Sequence, residues 1–178
     1  MGLFQTINLE ARNRGLNFLV IGGLAVNFHA YSRETADLDI LICRDSRDAW
    51  LQLFSELGYT IDQEKGGFIQ FLSPNQEAWP IDLMLVNETT FASMFDNAKE
   101  VEMFGEKLLI PSLEHLIALK LHALKHSHAG RFMKDFLDVE NLVRANKVDL
   151  RSNNIRDLFL KYGTLELYEK VSRACGIT

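Results

Sequence analysis

No CxxC spacing, no internal repeat, no low-complexity segment and no apolar run near the roughly 20 residues that cross a bilayer occurs in this chain of 178 residues. Its 2 cysteines, Cys43 and Cys175, lie far apart, which argues against a disulfide framework or a zinc ribbon. No charged n-region followed by an apolar h-region opens it, so a soluble, cytoplasmic protein with no membrane contact is expected. An excess of positive charge is also missing. The formal net charge of −5 excludes indiscriminate nucleic-acid binding, which depends on neutralising phosphates.

With 47% hydrophobic and 24% charged residues, the chain is an ordinary globular one able to bury a core. Its charge is unevenly spread: residues 1–119 carry 8 basic and 17 acidic side chains, residues 120–178 carry 11 and 7. An acidic front suits metal chemistry; a basic back suits an anionic partner.

Periodicity predicts a helix over residues 3–14, a buried strand over 17–21 running into Gly22-Gly23, a helix over 24–31 and a strand over 37–43. Ser46 is expected to cap a helix through Leu57. Strands are expected over 59–63 and 68–73 around Gly66-Gly67, then over 79–86, followed by a helix over 89–98 and a hairpin turning at Gly105-Glu106-Lys107. Beyond Pro111 only helices are expected, at 113–127, 132–145, 153–162 and 164–174. The fold class is α+β: a mixed, largely antiparallel sheet with flanking helices over residues 1–111, and a C-terminal helical bundle over 112–178 packing on the cleft.

Asp37 and Asp39 are two apart on a strand and so share a face, with Leu38 and Ile40 turned the other way. Two like charges at the start of an apolar strand repel, and a hard divalent cation such as magnesium relieves that repulsion. Asp82 repeats the pattern among Ile81, Leu83, Met84, Leu85 and Val86. Gly22-Gly23, with 13 residues between them and Asp37, provide a turn whose backbone N–H groups can approach phosphate oxygens.

The segment IGGLAVNFHAYSRETADLDILI resembles the signature of the DNA-polymerase-β-like nucleotidyltransferases. The resemblance implies magnesium-dependent transfer of a nucleoside monophosphate from a nucleoside triphosphate to an acceptor hydroxyl, through two Mg2+ ions that Mn2+ can replace. It assigns Asp37, Asp39 and Asp82 to the metals, Asp82 also as general base, and Gly22 and Gly23 to the phosphates. Where many relatives have Ser at the second small position, this chain has Gly23 and offers backbone alone. Arg33 and Thr35 complete an R-x-T-x-D-x-D pattern, similar to a bacterial branch that includes abortive-infection-type toxins, and either can position phosphates or serve the structure only.

Further along, Lys120 falls in the middle of the apolar face formed by Leu113, Leu116, Ile117, Leu121 and Leu124. Either its stem snorkels out past the helix, or its ammonium meets a fixed anion, the triphosphate or a catalytic carboxylate, which is the reading preferred here, with Asp135 placed to orient it. Lys134 and Asp138 read as an outward i,i+4 pair. Lys120-Leu121-His122-Ala123 with Arg131 to Asp138 resembles the second motif block of the toxin-like branch, which extends the likeness from Phe18 to Leu142. That likeness implies a catalytic and nucleotide-side role for Lys120 and a nucleotide-side role for Lys134 and Asp135. His115, His122 and His126, with His128 close behind, read as a solvated polar face. The expected partners are the nucleoside triphosphate and an acceptor that is tRNA or another RNA end, a protein side chain or a small molecule. An antitoxin is a further expected partner if the chain is a toxin. A metal-dependent nuclease and a non-catalytic nucleotide-binding or interaction module are the rival readings.

Overall fold

A computed structural model describes residues 2–126 and 129–177. The described residues form two compact units, one of those up to Ala25 together with Arg33–Ser112, the other of Val26–Ser32 and those from Leu113 onward.

The first unit opens with α1 (Leu3–Asn13), which buries Phe4, Ile7, Asn8 and Ala11 along one stripe. It continues through β1 (Leu19–Val20), the start of α2 (Gly22–His29), β2 (Leu38–Cys43), α3 (Arg47–Glu56), β3 (Thr60–Lys65), β4 (Phe68–Leu72), β5 (Ile81–Val86), α4 (Glu88–Asp96), β6 (Lys99–Met103) and β7 (Glu106–Ile110). Five strands make one sheet in the order β1-β2-β5-β4-β3, and β6 with β7 forms a separate hairpin. Only β2 and β5 run parallel; the other pairs are antiparallel, as expected for a mixed sheet. The parallel pair is the most apolar, because it sits centrally: Ile40, Leu41, Ile42, Ile81 and Leu83 are fully buried.

Local chemistry moves several boundaries from their expected places. The strand expected over 17–21 keeps its ladder only at Leu19–Val20, because Gly22, at φ +60°, turns the chain into α2. That helix therefore starts at Gly22 rather than residue 24 and ends at His29. Ser46 does not cap α3 through its side chain; its hydroxyl donates to the carbonyl of Cys43 at 2.8 Å and closes a 3-10 turn, Arg44–Ser46. The β6–β7 turn lies one residue earlier than expected, at Phe104 and Gly105, which take φ values of 54° and 77°.

In the second unit, α5 (Leu113–His126) packs against α6 (Ala129–Ala145) and α7 (Asn153–Tyr162), and α8 (Leu165–Ala174) packs on α6 and α7. Leu116, Ile117, Leu121, Leu142, Phe159 and Val171 are its buried centre. Thr164 caps α8, its hydroxyl accepting from the Leu167 N–H at 3.1 Å. The Asn146 amide fastens the end of α2 by donating to the His29 carbonyl at 2.7 Å. No helix among the described residues is long and apolar enough to cross a membrane.

Candidate active site

Strand pairing sets the site. In the parallel register Asp39 stands opposite Asp82, while Leu38 stands opposite Ile81 and Ile40 opposite Leu83. Alternation turns those four apolar side chains to the other face, where all are buried, and leaves both aspartates on one face at 7% exposure. Asp37, just before β2, joins them. One carboxylate oxygen from each of Asp37, Asp39 and Asp82 lies within 4.8 Å of the others.

The glycine turn abuts this cluster. The Ile21 N–H donates to the Asp39 carbonyl at 2.9 Å, which holds the chain beside β2 as it enters Gly22. A Cβ on Gly22 would sit 1.8 Å from Oδ2 of Asp39, so no side chain is possible without displacing the acid. A Cβ on Gly23 would meet Thr35 Oγ1 at 2.6 Å and Arg33 Nη1 at 3.2 Å. Thr35 donates its hydroxyl to Asp37 Oδ1 at 2.7 Å, and Arg33 Nη1 donates to the Glu34 carbonyl at 3.2 Å. The bend, Arg33, Thr35 and the acids thus form one continuous surface within the first unit.

Three carboxylates this close, two of them buried, repel one another and have surrendered much of their hydration. Their donor set is all hard oxygen, which suits Mg2+ or Mn2+ and not a soft metal. Among the described residues this is the single group of at least three ligand-type side chains close enough to hold one ion. His115, His122 and His126 do not form another. Burial pushes the His115 imidazole below its ordinary pKa, and burial with the neighbouring His126 and Lys125 does the same for His122, whose ring centroid is 4.6 Å from that of His126. His128 lies outside the described residues.

One contributor was not anticipated. Gln70, opposite Asp82 on β4, donates from Nε2 to Oδ1 at 3.3 Å and to Oδ2 at 3.4 Å. The available signal was of the kind that exposed Asp82: Gln70 is the one polar residue in the strand FIQFL, between the buried Ile69 and Phe71.

Lys120 belongs to the second unit, where it is 7% exposed. Its anions are carboxylates of α6 rather than the catalytic carboxylate or triphosphate expected: Asp135 Oδ1 lies at 2.7 Å and Asp138 Oδ2 at 2.8 Å. Arg131 Nε stands 3.5 Å from the other oxygen of Asp135, and the Tyr31 hydroxyl donates to Asp138 Oδ1 at 3.4 Å. The outward Lys134–Asp138 pair is thereby corrected: Lys134 is exposed, but Asp138 is fully buried and turned to Lys120.

The model of a protein family described as uncharacterised nucleotidyltransferase matches residues 3–176. Among solved structures, the chain is similar to ANT(2'')-Ia in complex with adenylyl-2''-tobramycin, at 14% identity and a TM-score of 0.66, with 90% of this chain and 94% of that one covered. It is similar to an antigenic nucleotidyltransferase-like protein from Paracoccidioides brasiliensis, at 12% identity, a TM-score of 0.57, and coverage of 98% and 92%. The lincomycin-bound lincosamide antibiotic adenylyltransferase LnuA is a third, at 19% identity, a TM-score of 0.55, and coverage of 79% and 93%. No curated protein matches the chain by sequence.

Proposed function

The chain belongs to this nucleotidyltransferase family, and on that premise we propose that it transfers a nucleoside monophosphate from a nucleoside triphosphate to an acceptor hydroxyl in a magnesium-dependent reaction. The observation that carries the proposal is the meeting of Asp37, Asp39 and Asp82 within 4.8 Å beside a bend where even one Cβ cannot be accommodated. Asp37, Asp39 and Asp82 would hold two ions, Mg2+ or Mn2+, whose chemistry when bound is to offset charge on the triphosphate. The backbone of Gly22 and Gly23 cradles phosphate oxygens at the start of α2, assisted by Arg33. Asp82 takes the proton of the acceptor hydroxyl as its oxygen bonds to the α-phosphorus; the bond to the bridging oxygen breaks and pyrophosphate leaves.

The basic balance of residues 120–178, 11 basic against 7 acidic, favours tRNA or another RNA end as acceptor, and the R-x-T-x-D-x-D pattern adds the reading of a cytoplasmic toxin neutralised by an antitoxin. This extends the likeness to the abortive-infection branch. A second reading, a small hydroxylated molecule as acceptor, is supported by the acidic first unit and by the similarity in extent to chains solved with adenylyl-2''-tobramycin and with lincomycin. Incubating the protein with each α-32P-labelled nucleoside triphosphate and a total cell extract, then separating RNA, protein and small molecules, distinguishes the two. Label in RNA supports the first reading and label in small molecules the second. Shortening of RNA without nucleotide would instead indicate a nuclease.

A further inference from the structure

Strand register lines up four side chains across one face of the sheet: Asp39 on β2, Asp82 on β5, Gln70 on β4 and Gln63 on β3. The last place is decided by an irregularity. Pairing shifts between Ile61 and Gln63, so that Gln63 stands opposite Gln70 and Asp62 is skipped. At the other end, Asp39 presses against Gly22. The row therefore runs from the glycine bend through two acids to two neutral amides.

Gln70 sits astride the Asp82 carboxylate, its Nε2 almost equidistant from the two oxygens at 3.3 and 3.4 Å. Both contacts are long for N–H···O bonds, so the amide restrains rotation of the carboxylate without engaging either oxygen tightly. The base of Gln70 is rigid: Ile69 and Phe71 on either side anchor β4 in the core at 0% and 3% exposure. An amide N–H can only donate, so both Asp82 oxygens face Gln70 as hydrogen-bond acceptors.

In-line displacement puts the entering and leaving oxygens on opposite sides of the phosphorus. With the phosphates at the glycine bend, beyond Asp39, the entering hydroxyl comes from the opposite end of the row. We infer that Gln70 is a positioning residue that aims Asp82 at the acceptor, and that the acceptor approaches over Gln70 and Gln63. This rests on the proposed function and adds to it a direction and a residue.

The test uses the full chain, Mg2+, an α-32P-labelled nucleoside triphosphate and total cell extract, with wild type, Asp82→Asn, Gln70→Leu and Gln70→Glu compared. Gln70→Leu is expected to lower apparent kcat roughly 10- to 100-fold while KM for the triphosphate stays within about twofold. A purely structural role would instead move KM for the triphosphate and the thermal midpoint together. If Gln70→Leu does not fold, Gln70→Glu, matched in size but stripped of its donors, is expected to show the same loss in kcat. Wild-type rates in both Gln70 variants, with Asp82→Asn silent, would overturn this inference and leave the proposed function standing. A wild-type chain that transfers no label to any fraction would overturn both.

Discussion

Replacing Asp82 by asparagine removes one charge from the acid cluster with almost no change in volume, and the carboxamide oxygen can still accept from Gln70. Two unit charges no more than 4.8 Å apart repel by about 3 kcal/mol at an effective dielectric constant of about 20, and Asp82 has two such neighbours. Screening by salt and by the water that reaches half-buried Asp37 reduces the net relief to about 1–3 kcal/mol. In EDTA, Asp82→Asn should therefore be more stable than wild type, with a thermal midpoint raised by roughly 3–10 °C for a chain of this size. Divalent cation narrows or cancels that difference. A ligand at 100 times its dissociation constant stabilises the folded state by about 2.7 kcal/mol, a gain open to wild type and denied to the variant. Urea titrations of both proteins in EDTA and in saturating Mn2+ read the effect directly. A variant less stable than wild type in EDTA, or equally stabilised by Mn2+, would refute the view that these acids are strained against one another for want of a cation.

Gly22→Ala forces a Cβ to within 1.8 Å of Asp39 Oδ2 at a φ of +60°, so it should cost more than about 1–2 kcal/mol and weaken Mn2+ binding, measurable by denaturation and calorimetry. Lys120→Met leaves Asp135 and Asp138 buried without their shared cation and should destabilise the chain by about 3–5 kcal/mol, read as a drop in urea midpoint at unchanged slope. Because His115 and His122 titrate below the ordinary 6.5 when folded, the unfolded chain binds protons first on acidification. Their contribution is complete above pH 6.5 and is lost as pH falls through the lower folded values, so His115→Gln should flatten the decline of stability with acid in that window.

The elements were legible where periodicity was strong and their edges were not, because edges depend on single turns. The paired glycines mark Gly22 as part of a turn, but that its positive φ opens α2 at once, two residues early, follows only from the backbone. The nearness of Asp37, Asp39 and Asp82 could be anticipated because an acid inside an apolar strand is costly wherever it points, and two such strands commonly pair. Gln70 could not be tied to Asp82 in the same way: an amide costs less to bury, and its partner is fixed by a strand register that the β3 irregularity helps to set. Lys120 stands out as a cation on an apolar stripe with Asp135 within reach, but that α6 supplies its anions follows only from the packing of α5 on α6. Asp138, by its spacing an outward partner of Lys134, is fully buried because α5 packs over that side of α6 and brings Lys120 to it, which the periodicity of α6 alone does not show.

The most direct test of the account follows the fate of two labels. With Mg2+ and extract present, the α-phosphorus of the nucleoside triphosphate should become covalently attached to an acceptor while the γ-phosphorus is released as pyrophosphate, and both events should cease in Asp82→Asn. Attachment of the γ-label, or α-label transfer undiminished in that variant, would contradict the assignment of these three acids to nucleotidyl transfer.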